Sequence, residues 1–394
     1  MKILLLAQSF PPPAAAGSAQ YIANIFSALP PQTAVIMTGD AEPAHAKEFD
    51  AKFPQRILRF PFILHVATGY KASKIARVRE YLLWPLAAGW VLWREKPDVV
   101  MIGEFNVATI TVLIAKLLFH IPYVLFTYAE ELTYISGRPI YLRLLKNVLR
   151  NADVIVTVSD FTKTILEGLG APAARIHKIL PAVAEDKIRV DAGALAALRM
   201  KYSLDGRHIL LTAGRLVERK GHASVIEALP VILQTLPSVS YVIVGAGPEE
   251  EKLRNLVQGT GMQKHVVFTG RVDDSELACW YEICDLFVMP HRDLPDTRET
   301  EGCPTVFLEA GAHGKAVIGG KDGGVTDAIL QDRTGFIIDG TNTAKLAETV
   351  CYLLNNSEVA AKMGAEGRAY AATLDSKSRA AAVWNISLQH SGRR

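Results

Sequence analysis

Short aliphatic runs alternate with longer amphipathic stretches along the whole chain, the pattern of buried parallel strands joined by helical crossovers. In the first half, strands are predicted at Lys2–Ala7, Ala34–Met37, Val99–Ile102, Tyr123–Phe126 and Val154–Val158. In the second they are predicted at Ile209–Ala213, Tyr241–Gly245, Val266–Thr269, Leu286–Met289, Ala316–Ile318 and Phe336–Ile338. Two such series predict an α/β protein of two doubly wound, Rossmann-like domains. The seam falls near 180–202, a charged stretch without a strand pattern, before a fresh strand in "HILLTAG". The predicted domains are therefore 1–182 and 200–374, with a final helix at 376–394 packing back on the first. Open α/β sheets bind ligands beyond the carboxyl ends of their strands, so the chemistry is expected in the loops that follow strands. With two such domains, the cleft between them is the natural place for a ligand.

The opening "MKILLLAQSFPPPAAAGSAQ" admits two readings, a secretory leader or a strand followed by a small-residue loop and a helix. The apolar run from Ile3 to Ala7 is shorter than the roughly 7–15 residues of a leader core, and three prolines follow it. It has the length of a buried strand. The longest apolar run elsewhere, residues 81–93, falls short of the ~20 residues that span a bilayer. A cytoplasmic location is expected, with the inner face of the cytoplasmic membrane as the place of any membrane contact.

Composition changes this picture little, and charge distribution changes it more. The 394 residues are 49% apolar and 21% charged, the balance of a soluble globular protein, and the net charge is only +3. Residues 1–180 carry 19 Lys and Arg against 13 Asp and Glu, a net of +6, which leaves −3 for the remainder. From Lys52 to Lys96 there are nine basic residues and two acidic ones. A basic first half predicts an anionic neighbour such as lipid headgroups or a phosphorylated substrate; no nucleic-acid partner is expected. The four cysteines, Cys279, Cys284, Cys303 and Cys351, show no metal-ligand spacing and read as free thiols.

The densest chemical signal is "ETEGCPTVFLEAGAHGKAVIGG" (299–320). Pro304 fits the first position of a helix. The free N–H groups of Thr305 and Val306 then make an anion site with the helix dipole. Glu301 lies in the loop before this helix and Glu309 about a turn inside it. Carboxylates beside a phosphate site make sense if they accept hydrogen bonds from sugar hydroxyls. On spacing alone, Glu309 reads equally well as a helix surface residue and Glu301 as a loop solvator. The second signal is "TAGRLVERKGHASVIEAL" (212–229), a strand running into a loop with Arg215, Arg219 and Lys220 between Gly214 and Gly221. Arg215 can fork two phosphate oxygens and Lys220 can act as a point charge.

Together "GRLVERKG" and "EGCPTVFLEA" resemble the retaining glycosyltransferases of family 4, which have the GT-B fold of two facing Rossmann-like domains. The basic loop, the paired glutamates and the following "GGV" stand in that family's order and spacing. The resemblance covers the second domain firmly and the first by pattern. It implies that Arg215 and Lys220 neutralise the diphosphate of a nucleotide-sugar donor, and that Thr305 and Val306, behind Cys303 and Pro304, hold its distal phosphate. It further implies that Glu309 binds the ribose, Glu301 the transferred sugar, and Arg271 and Val272 of "TGRVDD" the base. The opening loop, residues 10–18, then lies near the donor phosphates and the acceptor. Its Gly17 is expected to permit close backbone approach, and Ser18 with Gly17 opens the helix beyond, whose free N–H groups point at the diphosphate. No metal or other cofactor is expected, since cations and N–H dipoles suffice to stabilise the leaving diphosphate.

The chain departs from the family at two places. Where relatives carry a His-Gly pair after a strand, this chain reads "FTYAEEL", with Tyr128, Ala129 and Glu130 at that position. Tyr128 can hydrogen-bond, but a phenol of pKa about 10 is a poor base at neutral pH, and no general base is assigned. The interdomain Pro-Asn-Gly-Val of relatives is "PAV" (181–183) here. On the acceptor side, Lys71, Lys74, Arg77 and Arg79 begin a basic amphipathic helix suited to an anionic membrane and a lipid-linked or saccharide acceptor. Its tryptophans Trp84, Trp90 and Trp93 are expected to pack under the first sheet. The resemblance implies a hexosyltransferase, with mannose from GDP-mannose or glucose from a UDP-sugar as donors. The alternatives are a non-catalytic subunit of the same fold that binds nucleotide sugar, and a dinucleotide oxidoreductase prompted by "VGAGPEE" (244–250).

Overall fold

The computed structural model describes residues 1–12, 17–40, 43–63, 73–105, 108–183, 188, 190 and 192–391. They fall into two compact units, Met1–Pro181 with Ser376–Arg394, and Ala182–Asp375.

Unit 1 is a seven-stranded parallel sheet in the order β3-β2-β1-β4-β5-β6-β7. The strands are β1 (Ile3–Leu6), β2 (Ala34–Gly39), β3 (Arg56–Phe60), β4 (Val99–Ile102), β5 (Tyr123–Thr127), β6 (Val154–Thr157) and β7 (Ile176–Lys178). Its helices are α1 (Gly17–Ala28), α2 (Pro43–Lys52), α3 (Lys74–Glu95), α4 (Ala108–Phe119), α5 (Glu130–Ser136), α6 (Pro139–Asn151) and α7 (Asp160–Gly168). The central strands are buried on both faces, which is why they read as unbroken aliphatic runs. The two strands absent from the sequence reading are the edges. In β3, "RILRF" is only half-buried, and β7 is three residues long.

Unit 2 is a six-stranded parallel sheet in the order β10-β9-β8-β11-β12-β13. Its helices and strands are α8 (Ala192–Lys201), β8 (His208–Ala213), α9 (His222–Thr235), β9 (Val239–Val244), α10 (Glu250–Gly259), β10 (Val266–Gly270), α11 (Asp274–Ile283), β11 (Leu286–Met289), α12 (Thr305–Ala312), β12 (Ala316–Gly320), β13 (Gly335–Ile338), α13 (Thr343–Asn355) and α14 (Ser357–Ala372). The last helix, α15 (Ser376–Ser391), returns to unit 1 and packs on α1. Strand order reverses between β1 and β4 and again between β8 and β11, so each sheet has a crevice at those carboxyl ends.

Helix α3 corrects one expectation. Ser73 caps it by accepting from the Ala76 N–H, and Trp84, Ala88 and Val91 bury one face. Trp90 and Trp93 do not pack under the sheet; they are 47% and 72% exposed. At about 100° per residue, nine residues carry Trp93 half a turn round from Trp84. Ile75, Val78, Leu82 and Leu86 share that outer face and are exposed too.

Candidate active site

The basic loop of unit 2 is built by backbone packing. The chain leaves β8 at Gly214, whose N–H donates to Val244 O at 2.9 Å. Gly245, after β9, lies so close that a Cβ there would overlap the Gly214 carbonyl oxygen. The glycine of "VGAGPEE" thus has a packing reason that owes nothing to a dinucleotide. Arg215 is exposed, and its guanidinium has no ion pair or hydrogen bond among the described residues. Arg219 turns inward, 7% exposed, with its guanidinium against Glu301 and its Nε 3.5 Å from Glu299. Lys220 Nζ lies 2.8 Å from Glu301 Oε1, with both side chains largely buried.

A buried polar chain supports this loop from beneath. Thr212 Oγ1 donates to Val288 O, Tyr241 Oη donates to Thr212 Oγ1 at 2.8 Å, and His222 Nδ1 lies 3.2 Å from Tyr241 Oη. His222 Nε2 is 3.4 Å from Arg215 O, so the imidazole links the strand interior to the loop's backbone. Burial pushes His222 down to about 4, and the nearby Lys220 acts in the same direction. His291, after β11, is likewise held down to about 4 by burial; its Nε2 is 3.0 Å from Asp322 O, and it accepts from Gly320 N–H at 3.2 Å. Both rings are neutral near pH 7, leaving Lys220 and Arg215 as the cations that matter. Sequence reasoning missed His222, His291 and the inward turn of Arg219, although all three come soon after a strand.

The helix of the 299–320 motif begins one residue later than expected. Pro304 is the N-cap, Thr305 is the first helical residue, and no side chain caps this end. Glu309 is not a surface residue; it is 8% exposed, and Tyr281 Oη donates to its Oε2 at 2.8 Å. Glu301 is fixed by its backbone as well as by its cations. Gly324 N–H donates to Glu301 O at 2.8 Å, and a Cβ on Gly323, whose φ is +66°, would overlap the same oxygen. This contact explains why "GGV" follows the glutamate pair.

The other expected residues are less tightly gathered. Arg271 and Val272 follow the edge strand β10, exposed and half-buried, and Gly245 N–H donates to Gly270 O at 2.9 Å beside them. Cys303 is half-buried and in no disulfide. In unit 1, Gly17 and Ser18 open α1, but a Cβ on Gly17 would meet nothing within 4 Å, so no close approach among the described residues requires glycine there. Residues 13–16 of that loop, and Lys71, lie outside the described residues. Lys74, Arg77 and Arg79 are exposed at the start of α3. Tyr128 follows β5, and Glu130 is exposed on the first turn of α5. Among the described residues no group of three or more His, Cys, Asp or Glu is arranged to hold a metal, and no helix is long and apolar enough to cross a membrane.

Comparison with known proteins bears on both units. Residues 197–370 match the family model for glycosyl transferases group 1, and residues 16–181 that for a glycosyl transferase 4-like domain. The GDP-mannose-dependent alpha-(1-6)-phosphatidylinositol monomannoside mannosyltransferase of Mycobacterium tuberculosis is 36% identical over 242 residues. That match covers 61% of this chain and 63% of the relative, less than two thirds of its length. A GDP-mannose-dependent monoacylated alpha-(1-6)-phosphatidylinositol monomannoside mannosyltransferase of Corynebacterium glutamicum is 28% identical, covering 94% of this chain and 93% of that one. The fold is shared with Anabaena HepE in complex with UDP, at a TM-score of 0.79 and 19% identity over 98% of this chain and 99% of that one. With both halves matched and the two-sheet architecture shared, the chain belongs to the family 4 glycosyltransferases of GT-B fold.

Proposed function

We propose that the protein is a retaining, metal-independent hexosyltransferase that moves a mannose- or glucose-type sugar from a nucleotide diphosphate sugar to a glycolipid, lipid-linked or saccharide acceptor. The observation that carries this reading is that Arg215, unpaired among the described residues, shares a loop with Lys220 of the buried Lys220–Glu301 pair, at the same sheet edge as the uncapped head of α12. Arg215, Lys220 and the Thr305 and Val306 amides stabilise the charge that develops on the departing diphosphate. Lys220 has three donors, so it can hold Glu301 and a phosphate oxygen together. Glu301 keeps lone pairs for hydroxyls of the transferred sugar, and Glu309, oriented by Tyr281, for those of the ribose. The GDP-mannose dependence of the mycobacterial and corynebacterial relatives supports mannose as the sugar.

The relatives' phosphatidylinositol mannoside acceptors support a lipid-linked acceptor, met at the inner face of the cytoplasmic membrane. The outer face of α3 supports peripheral contact with an anionic bilayer. It presents Ile75, Val78, Leu82, Leu86 and Trp93 to solvent, flanked by Lys74, Arg77 and Arg79. The test is transfer of labelled mannose from GDP-mannose to phosphatidylinositol mannoside in vesicles, with EDTA present and the product anomer read by NMR. An α-mannoside formed at undiminished rate in EDTA is expected. No transfer from GDP-mannose or UDP-glucose, a β-product, or metal-dependent turnover contradicts the corresponding part of the reading.

A further inference from the structure

His222, the first residue of α9, is 2% exposed and stands between the strand interior and the basic loop. The positions of the protons along its polar chain follow from what each partner can accept. A carbonyl cannot donate, so Thr212 gives its one hydroxyl proton to Val288 O. Thr212 Oγ1 is then an acceptor, and Tyr241 gives it the phenol proton at 2.8 Å. His222 Nδ1, 3.2 Å from Tyr241 Oη, is therefore the donor in that contact. A neutral imidazole has a single N–H. Its Nε2 is then a bare lone pair 3.4 Å from the Arg215 carbonyl oxygen, acceptor facing acceptor. Moving the proton to Nε2 transfers the same conflict to Tyr241. Only the doubly protonated ring satisfies both neighbours, yet burial and the Lys220 charge hold it neutral.

The groups around the ring show what would reverse this. Tyr241 on β9 and Thr212 on β8 are uncharged, and the loop after β11, which packs on Gly221 through Pro290 O, carries the neutral His291. Helices α10 and α13 also pack on α9, and no charge of theirs acts on the ring. Lys220 is the charge that does. We propose that His222 is a positioning residue for the donor: when a diphosphate settles on Arg215 and Lys220, Nε2 takes a proton from solvent and donates it to the Arg215 carbonyl, fixing the basic loop on the ligand. This rests on the reading of Arg215 and Lys220 as the diphosphate's cations. The ligand's negative charges offset Lys220 and raise the ring's proton affinity by about tenfold or more. The Arg215 contact is only part-buried, so the proton enters on that side and returns to solvent when the diphosphate leaves.

The test is calorimetric titration of GDP-mannose and UDP-glucose into the full chain at pH 5 and pH 8, each in two buffers of different ionisation enthalpy. The phosphates of these donors neither gain nor lose a proton in that range, so any uptake belongs to the protein. For the donor that binds, wild type should take up about half a proton at pH 5 and almost none at pH 8, with several-fold tighter binding at pH 5. Tyr241→Phe relieves Nδ1 of its donor role, so the neutral ring donates from Nε2 and the uptake is lost while the donor still binds. His222→Gln should lose the uptake as well; a ring that only fills space would leave the pH dependence intact. Heat of binding without uptake in wild type, uptake that survives in both variants, or uptake abolished instead by His291→Gln overturns the proposal and leaves the donor reading standing. No binding of either donor contradicts the donor reading itself, and this inference with it.

Discussion

The two units solve the same problem with opposite chemistry. Each is a parallel sheet whose strand order reverses, and each gathers charged side chains at that carboxyl edge. In unit 2 the edge is basic, with Arg215 and Lys220 over neutral imidazoles, and glycines let the loops touch backbone to backbone. In unit 1 it is acidic, with Glu104 and Glu131 near neutrality, and the turn after β5 is made by a strained alanine. The same architecture therefore carries two edges with different side-chain chemistry.

The largest expected effect that sharpens this contrast is on turnover. Arg215→Ala or Lys220→Ala should each lower kcat/KM by about a hundredfold or more, the usual loss of one donor to a developing anion. Glu104→Gln should leave nucleotide affinity unchanged; weaker GDP binding in that variant breaks the contrast.

pH should move the units in opposite directions. His222 and His291 titrate near 4 when folded and near 6.5 when unfolded, so the unfolded chain binds more protons between those values. Unit 2 stability is complete above 6.5 and is lost as pH falls through 4, by on the order of 3 kcal/mol per histidine. Glu104 and Glu131 titrate near 7 when folded and near 4.5 when unfolded, so their folded forms hold the extra proton. Unit 1 accordingly loses stability as pH rises from 4.5 through 7. Hydrogen exchange of β8–β9 and β4–β5 peptides at pH 4.5 and 7 reads the two trends, and parallel trends contradict the assignment.

A matched backbone pair gives a smaller effect. Gly323→Ala meets both a positive φ and the Glu301 carbonyl, and should cost about 1–3 kcal/mol. Ala129→Gly relieves strain and should be neutral or stabilising by about 1 kcal/mol, read by urea melts. Smallest in stability is Leu86→Ser with Trp93→Ser on the exposed face of α3, expected within about 0.5 kcal/mol. That pair should nevertheless weaken sedimentation with anionic vesicles; unchanged sedimentation removes α3 as the membrane contact.

What can be read from the letters follows from locality. Central strands such as β1 and β4 are apolar throughout because both faces are buried, whereas β3 and β7 are edges whose charged or few residues hide them. Arg215, Lys220, Glu301 and Glu309 are legible because they sit in two compact motifs. The burial of Glu309 is not, since Tyr281, which holds it, lies 28 residues away. Glu104 escapes for the same reason: its donor Ser9 is 95 residues earlier. Trp93 is misplaced by pattern alone because an apolar residue counts as core until the helical phase of its neighbours is known.

The most direct measurement is calorimetric titration of GDP and GMP into wild-type protein and the Arg215→Ala, Lys220→Ala double variant. The account predicts that GDP binds wild type far more tightly than GMP, and that the variant loses this difference. Equal affinity for the two nucleotides in wild type, or a GDP preference that survives in the variant, would contradict it.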